Sequence, residues 1–556
     1  MLKKFLNAHK NVYKIVLITI FFICTVIIMF VLHFYNEKNY QINIKESKGW
    51  FESAYIEFGN VDKVFKYEVY IKKSDSNKYV LLDDELVRQY KDNYVRADAV
   101  GLTPGEYNFK IKIKTIYGTY SKLSDNVIVD SYDRTGFSFV NGESNGAYKS
   151  DGTLKENTLV IYITEENKDS ITCDIKISDD EKFEKSVGII NILDNYNKGY
   201  DNRPLDIRMI GKVTGSGIIS NQEEDKVNVI TVESENKNDN LRGITIEGIG
   251  KDTTSYNIQI RVKNTSNVEI RNIGFMLSNS KEKDSIEVID SDHIWAHNID
   301  FFYGMPRVDE KNQKKGDGSF DCKNTQYVTV SYNHFYNTGK TSLIGLNETK
   351  KDELYITFHH NWFDHVESRA PRVRFYSAHI YNNYYDNVTT YCIGATYGCS
   401  LFVEANYFEA SNKQMVISGQ GGEKNNLLSN EPGGIIKAYN NLIKNNYLKK
   451  YSNDNLIEFD AVFVENKDEK IDSSVTTLIG NNTYNNFDTS DIMYTYTAQS
   501  PEDAKYRVIN NSGRINGGDI DYIFKDNKFY SKSVNIELKN ILLNYNTKIK
   551  KIGGKV

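Results

Sequence analysis

The chain has 556 residues, of which 40% are apolar and 13% aromatic; this excludes a disordered protein and leaves room for more than one folded unit. Tyrosine is abundant (40) and proline scarce (6), a bias that favours strands joined by tight turns. The net charge of −5 argues against a general attraction to nucleic acid, so we expect no nucleic-acid partner. We also expect a monomer. An acidic ligand would need a local cluster of positive charge.

The N-terminus carries a targeting signal. Lysines at positions 3, 4, 10 and 14 precede the uncharged run Ile15 to Leu32, which as a helix is about as long as a bilayer's hydrocarbon core is thick. The positive-inside rule therefore predicts a cytoplasmic tail at 1–14, a transmembrane signal-anchor at 15–34 and an extracellular chain anchored at the cell surface. Secretion after signal cleavage is the alternative, although "VLHFYNEK" offers no small residues for a cleavage site.

The cysteines are less informative. Cys24 lies in the apolar run, and Cys173, Cys322, Cys392 and Cys399 show no zinc-type spacing. A disulfide between Cys392 and Cys399 and four reduced thiols are both compatible with the sequence.

Residues 46–131 alternate apolar and polar positions in short runs such as "KYEVYIKK" and "SDNVIVDSY", separated by turn signals. This pattern predicts a small antiparallel β-sandwich. Through the stretch "GLTPGEYNFKIKI" it resembles a fibronectin type III module, which implies a spacer more often than a binding site.

From about residue 140 onward, one short motif recurs around an asparagine. The eight copies are "VEIRNIGF" (Asn272), "IWAHNIDF" (Asn298), "VTVSYNHF" (Asn333), "ITFHHNWF" (Asn361), "HIYNNYYD" (Asn383), "FVEANYFE" (Asn406), "IKAYNNLI" (Asn441) and "LIGNNTYN" (Asn482). Each copy supplies a strand, a bend at which asparagine tolerates a left-handed conformation and bonds the asparagine of the next coil, and an inward aromatic. The spacing predicts an all-β chain with a right-handed parallel β-helix at 140–530. A β-propeller fits less well because its blades would be more evenly spaced.

Acidic residues gather where loops interrupt this repeat. Asp284 lies in "KEKDSIEV", and Asp317 and Asp321 lie in "GDGSFD". Coils of such a stack lie about 4.8 Å apart, so carboxylates at equivalent places can converge on one oxygen-loving cation, for which Ca²⁺ is the expected ion.

Basic residues follow on the next coils. Lys340 lies in "NTGKTSLIG", and Arg369, Arg372 and Arg374 lie in "SRAPRVRF". Alternation along a strand puts Arg372 and Arg374 on one face, whereas Arg369, before Pro371, is oriented independently.

These segments resemble the pectate lyases of polysaccharide lyase family 1, above all through R-x-P-x-x-R at 369–374 and D-x-x-x-D at 317–321. The resemblance implies calcium-dependent cleavage of (1-4)-linked polygalacturonate by β-elimination, giving 4,5-unsaturated oligogalacturonides. It places the catalytic base on Arg369 and the groups that bind the substrate carboxylate on Lys340 and Arg374. Calcium ligands fall on Asp284, Asp317 and Asp321, with Glu282 at a place that is acidic in some members. The chain departs from the family at Ala296, where members often carry an aspartate.

The chemistry explains these residue types. Elimination removes the proton on C5, beside the uronate carboxylate, and the developing enolate adds charge to a group that is already negative. Cations against that carboxylate therefore lower the barrier most directly. Arginine has a pKa above 12 in water, so an arginine base predicts an alkaline optimum.

Two other function classes remain open. A glycoside hydrolase on the same fold could use Asp317 and Asp321 as its acid and base, but would leave the basic cluster without a role. A non-catalytic surface protein that binds glycans would fit the anchor and the sandwich. Pectin lyase activity is disfavoured because acidic candidate ligands are present.

The segment "QSPEDAKYRVINNSG" predicts a helix with Ser500 as N-cap, Pro501 at the first position and Asp503 completing the capping box. We expect this helix to pack on the β-helix, and residues 531–556 to form a C-terminal tail.

Overall fold

The computed structural model describes residues 2–116, 118–180, 182–215, 228–235, 242–279, 284–305, 314–348, 354–423, 426–444, 448–525 and 532–556. The chain divides into two compact units. The first comprises Met1–Asp130 with Lys548–Val556, and the second comprises Ser131–Thr547.

The first unit begins with a helix and continues in antiparallel strands. The helix is α1 (Leu2–Asn39), and its stretch Val12–Val31 has a mean hydropathy of 2.8, long and apolar enough to cross a membrane. The strands are β1 (Ile44–Gly49), β2 (Ser53–Gly59), β3 (Val64–Lys73), β4 (Val80–Leu81), β5 (Val87–Tyr90), β6 (Tyr94–Val100), β7 (Gly105–Thr115), β8 (Gly118–Leu123) and β9 (Val127–Val129). A 3-10 turn, Asp84–Leu86, precedes β5.

These strands form two antiparallel sheets, one containing β1, β2, β5 and β6 and the other containing β3, β4, β7, β8 and β9. Alternating residues from both sheets share one core, for example Ile56 with Phe109 and Val95 with Ile111. The predicted sandwich of antiparallel sheets is therefore present. Its likeness to a fibronectin type III module stays a prediction.

The second unit consists mainly of short parallel strands. In chain order these are β10 (Leu159–Ile163), β11 (Thr172–Lys176), β12 (Phe183–Val187), β13 (Leu205–Thr214), β14 (Val229–Glu233), β15 (Ile244–Tyr256), β16 (Gln259–Lys263), β17 (Ser266–Arg271), β18 (Gly274–Met276), β19 (Ile286–Ile289), β20 (Asp292–His297), β21 (Asp300–Phe301), β22 (Phe320–Lys323), β23 (Gln326–Ser331), β24 (His334–Tyr336), β25 (Leu343–Ile344), β26 (Tyr355–His359), β27 (Trp362–Asp364), β28 (Arg372–Arg374), β29 (Ser377–Tyr381), β30 (Tyr384–Asp386), β31 (Ile393–Thr396), β32 (Ser400–Glu404), β33 (Tyr407–Glu409), β34 (Met415–Ile417), β35 (Ile435–Tyr439), β36 (Leu442–Ile443) and β37 (Val462–Phe463). Only β11 and β12 form a separate antiparallel pair among the strands described here.

Two parallel sheets result. The first, which we call the site sheet, runs in the order β14, β16, β19, β22, β25, β28, β31, β34, and the second collects the remaining parallel strands. Each typical coil gives one strand to the site sheet and two to the other, as β19, β20 and β21 do before β22 begins the next coil. The predicted parallel β-helix is confirmed.

A ladder of asparagines holds the coils in register. The Nδ2 groups of Asn333, Asn361, Asn383 and Asn406 each donate to the Oδ1 atom of the asparagine one coil onward, at 2.9–3.0 Å, and Asn441 ends the ladder. Inward rings stack beside it, including Phe335 on Phe363 with centroids 4.9 Å apart. The predicted bond between asparagines of successive coils is therefore present over these five coils.

Two details of the repeat differ from expectation. In the ladder coils the left-handed residue is the one before the asparagine, such as His360 (φ 53°), because the ladder side chain must point along the stack. Asn272 and Asn298 occupy that left-handed position themselves. Asn482 lies outside the ladder: its side chain donates to the Gly433 carbonyl, since the chain after β37 no longer follows the coils.

Helices cover parts of the stack. They are α2 (Ile189–Asn197), α3 (Pro501–Asn511) and α4 (Ile536–Leu543), with 3-10 turns at Phe137–Phe139, Phe487–Thr489 and Ile515–Gly517. The Ser500 hydroxyl caps α3 by accepting from the Asp503 N–H at 3.1 Å, and Val508 packs against Tyr384 and Tyr407. The predicted helix and its docking are confirmed.

The segment expected as a tail, 531–556, contains ordered structure. Leu538 and Leu542 of α4 are buried beside Met276 and Phe302, because this helix has an apolar face. Ile549–Ile552 then forms a strand paired with β5 in the first unit. Cys392 and Cys399 are both buried and reduced, so no disulfide joins them.

Candidate functional site

All but one of the described predicted site residues lie before or near the start of four neighbouring strands of the site sheet, β19, β22, β25 and β28, and the exception is Arg374. The residues are Asp284 before β19, Asp317 before and Asp321 on β22, Lys340 before β25, and Arg369 before and Arg374 at the end of β28. Adjacent strands lie about 4.8 Å apart, so the row from Asp284 to Arg369 spans roughly 15 Å.

The acidic residues form one cluster, in which Asp284 and Asp321 are buried and Asp317 is partly exposed. Gly318 brings two of them together: its N–H donates to Asp284 at 2.8 Å, and a Cβ at that position would lie 2.3 Å from the Asp321 carboxylate. Burial raises the pKa of Asp284 well above its usual range, and the charges of Asp321 and Asp317 raise it further. Burial also raises the pKa of Asp321 to about 7, although the Leu343 N–H and the Arg369 charge oppose the shift. Glu282 lies outside the described residues.

The donor set of this cluster fits a hard divalent cation. Three carboxylates supply only oxygen atoms, the ligands that Ca²⁺ prefers, and their mutual repulsion is the kind that a bound cation relieves. Among the residues that the structure describes, no thiolate or imidazole belongs to this cluster. Asp284, Asp317 and Asp321 would therefore hold calcium rather than zinc.

Arg369 has an unusual backbone. Its φ of 58° is uncommon for a residue other than glycine, and neighbouring coils hold it: the Ser342 N–H donates to its carbonyl, and the Ala370 N–H donates to Cys392, both at 2.8 Å. The half-buried side chain lies near Asp321 and Tyr391, and its positive charge opposes the rise that burial causes in the pKa of both groups. Arg369 is thus oriented independently of the strand that follows it.

Arg372 and Arg374 converge on one carboxylate, that of Glu431. Arg374 donates to it from Nε at 3.1 Å and from Nη2 at 2.6 Å, and Nη2 of Arg372 lies 2.7 Å from the same group. Arg372 is buried and also donates to the Leu428 carbonyl at 3.0 Å. Two cations share one anion here, so this part of the site keeps a net positive charge.

Lys340 lies between the acidic and the basic groups. Its Nζ is 3.9 Å from Asp317 Oδ1, and its side chain is 26% exposed. The neighbouring Lys315 is different: burial lowers the pKa of its amine to about 7, although the charge of Glu367 opposes the shift. At alkaline pH, Lys315 therefore adds little positive charge to the site.

A cavity of about 730 Å³ continues along the same end of the site sheet, before β31 and β34. Its lining includes Thr390, Lys413, Asp460 and Lys532. The Thr390 N–H donates to the Glu367 carbonyl, which places the cavity one coil beyond Arg369.

Two of these residues were missed from the sequence. Tyr391 follows Arg369 by one coil and could have been found by stacking the repeat. Glu431 lies in an insertion between β34 and β35, where no repeat fixes its position.

Ala296, the departure from the family pattern, is fully buried in the core, and its carbonyl accepts from Asn333. The change at this position therefore affects packing away from the site sheet.

Comparison with known proteins agrees with this geometry. The family model described as pectate lyase matches residues 205–514, more than half of the chain. A pectate trisaccharide-lyase of Bacillus licheniformis is 31% identical over 217 residues, 39% of this chain and 59% of that protein. Pectate lyase B of Dickeya chrysanthemi is 30% identical over 178 residues, 31% of this chain and 46% of that protein. The chain thus spans roughly half the length of these curated relatives.

Among solved structures, a pectate lyase from Bacillus sp. N165 in complex with trigalacturonate aligns with 69% of this chain and 99% of its own, at 23% identity and a TM-score of 0.46. The family model decides the family, and its matched range includes the acidic cluster, Lys340 and the three arginines. The chain belongs to the pectate lyase family of polysaccharide lyases.

Proposed function

We propose that this chain cleaves polygalacturonate, or a closely related acidic polysaccharide, by calcium-dependent β-elimination. One observation carries the proposal: three carboxylates, two of them buried, lie beside Lys340 and Arg369 at the same end of four adjacent strands, and Arg374 lies at the other end of β28. The names of the curated relatives point to the same substrate class. Either group alone would be compatible with a structural role, whereas both together match the needs of an acidic substrate.

Substrate binding would use the cations. Lys340 and Arg374 would each donate to uronate carboxylate oxygens, because charge-assisted hydrogen bonds are stronger than neutral ones. Arg374 would use N–H groups that do not donate to Glu431. Calcium bound by Asp284, Asp317 and Asp321 would supply further positive charge at the uronate carboxylate.

Arg369 would then act as the base. In its neutral form it would accept the C5 proton, and the electron pair of the C5–H bond would form the C4–C5 double bond as the C4–O bond breaks. The expelled oxygen would take a proton from solvent, so that no water is added to the sugar. Lys340 and Arg374 would stabilise the enolate-like charge.

The product distinguishes this reaction from hydrolysis. Polygalacturonate is incubated in ¹⁸O-water, and the fragments are analysed by mass spectrometry. Elimination predicts products with an unsaturated non-reducing end, a total mass equal to that of the parent and no ¹⁸O at the cut. Saturated products carrying ¹⁸O would favour a glycoside hydrolase, and binding without products would favour a glycan-binding surface protein.

We also propose that α1 anchors the enzyme outside the cell. The supporting observation is the apolar stretch Val12–Val31 behind several lysines. A signal sequence has the same features, so the mass of the mature chain from its natural membrane decides. An intact N-terminus in the membrane fraction supports the anchor; a chain shortened beyond α1 in the medium supports cleavage.

A further inference from the structure

A group of metal-binding side chains lies outside the candidate catalytic site. Asp133, in the segment that enters the second unit, meets His359 and His360 at the end of β26, and one ligand atom from each lies within 4.8 Å of the others. β26 belongs to the second parallel sheet rather than to the site sheet. Both histidines are buried, whereas the Asp133 side chain is 22% exposed.

The ring nitrogens of the two histidines face each other. Nδ1 of His359 lies 2.9 Å from Nδ1 of His360. Nε2 of His359 lies 3.1 Å from the Thr135 carbonyl, which can only accept, so Nε2 carries the proton and Nδ1 a lone pair. Nε2 of His360 lies 2.9 Å from the Gln499 amide oxygen, which leaves its Nδ1 in the same state.

Two lone pairs at this distance repel unless a cation lies between them. A ligand oxygen of Asp133 lies within 4.8 Å of a ring nitrogen of each histidine, so a metal ion at this place would meet three ligand atoms. Asp133 completes the set, and its carboxylate is oriented by hydrogen bonds from Thr135 Oγ1 at 2.8 Å and the Tyr332 hydroxyl at 3.1 Å.

We propose that Asp133, His359 and His360 bind a divalent transition metal ion of the Zn²⁺ class. Two imidazoles and one carboxylate are a ligand set that zinc favours, and nitrogen ligands exclude calcium. A histidine that binds a metal usually donates its other ring N–H to an oxygen, as both histidines do here. Tetrahedral zinc would need the two Nδ1 atoms about 3.3 Å apart, a small opening from the structure described.

Such a metal would join the entry segment of the second unit to the β-helix. Its expected effect is on stability, because an ion that binds only the folded state raises the melting temperature. The inference is independent of the lyase reaction, since neither the acidic cluster nor Arg369 takes part.

The test uses the full-length chain in detergent, first stripped with EDTA and then titrated with Co²⁺. We expect one equivalent of Co²⁺ to give visible d–d absorption, and Zn²⁺ to displace it and raise Tm. Asp133→Asn and His360→Gln should weaken binding at least tenfold. His293→Gln is the matched control, because this partly exposed histidine beside Asp292 should leave binding unchanged.

A variant with the opposite expected effect guards against misfolding. Arg507 places a guanidinium 3.9 Å from Asp133, so Arg507→Gln should tighten Co²⁺ binding several-fold. The proposal is overturned if the stripped wild type shows neither d–d absorption nor a Zn²⁺-dependent Tm. It is equally overturned if folded Asp133→Asn and His360→Gln bind like wild type. Either result would mean that the Gln499 amide nitrogen faces His360 and that a single proton joins the two rings.

Discussion

The carboxylate of Glu431 accepts two hydrogen bonds from the guanidinium of Arg374. Nη2 donates to Oε1 at 2.6 Å, and Nε donates to Oε2 at 3.1 Å. Arg372 holds the same carboxylate from the neighbouring outward position of β28. This arrangement fits two different proposed tasks: Arg374, the more exposed of the two, would bind the ligand, whereas Arg372 would support the group that orients it.

Variants of these two arginines should separate the two tasks. Arg374→Ala removes a direct contact to the substrate carboxylate, so we expect kcat/KM on polygalacturonate to fall by about 10²–10³-fold. Arg372→Gln leaves Arg374 paired with Glu431, and we expect a loss of only a few-fold. Steady-state kinetics on variants with a wild-type circular dichroism spectrum measure both effects, and equal losses would argue against this division.

The acidic cluster should set the calcium requirement. Asp321→Asn removes one carboxylate from the proposed calcium site, and we expect the calcium concentration for half-maximal activity to rise by at least tenfold. Asp454→Asn, at an exposed position, is the control for the loss of one negative charge. If the two variants respond to calcium alike, Asp321 is not a ligand.

Asp386 offers a test of pH-dependent stability. Burial, together with the charge of Asp364, raises its pKa to about 6, so the folded protein binds this proton more tightly than the unfolded chain. The stabilisation that the protonated Asp386 carboxyl provides is fully present below about pH 4. It declines as the pH rises through about 6 and is lost at higher pH. Asp386→Asn should therefore raise Tm at pH 8, by an amount corresponding to about 2 kcal/mol, and hardly at all at pH 4.

Asp364 is the matched control because its shift has the opposite sign. Burial opposes ionisation there too, but hydrogen bonds with His334 and His365 hold the pKa below its usual value. Asp364→Asn should lower Tm at pH 8. If both variants gain Tm at pH 8, the hydrogen bonds from His334 and His365 do not stabilise the charged form of Asp364.

The asparagine ladder can be tested at its middle. Asn361 donates to the Val330 carbonyl and to Asn383, and accepts from Asn333, all within a fully buried site. Asn361→Ala leaves these groups without partners, so we expect a loss of about 2–4 kcal/mol in the free energy of unfolding. Asn482→Ala, outside the ladder, should lower the free energy of unfolding, measured by urea denaturation, clearly less than Asn361→Ala. Equal losses for the two variants would contradict the ladder as described.

Much of the β-helix could be predicted because one coil resembles the next. The bend, the asparagine bond and the inward ring are set by contacts between equivalent residues, so a repeat in the sequence carries them into the structure. The prediction failed at Asn482, where the motif persists but no further coil follows to accept the bond.

The candidate site was only partly accessible from the sequence. Asp284, Asp321, Lys340 and Arg369 could be placed because each stands next to a strand of its own coil. Glu431 could not, since it reaches β28 from an insertion of its own. The role of Arg372 depends on that contact and was therefore open as well.

The central claim is that Arg369 and bound calcium together drive an elimination. The most direct measurement is the ultraviolet absorbance of unsaturated uronate, followed while calcium is returned to chelated protein in the presence of polygalacturonate at alkaline pH. We predict that absorbance rises for the wild type only after calcium is added, and that Arg369→Ala stays flat while still binding oligogalacturonate. Unsaturated product in excess chelator, or undiminished product formation by Arg369→Ala, would contradict the account.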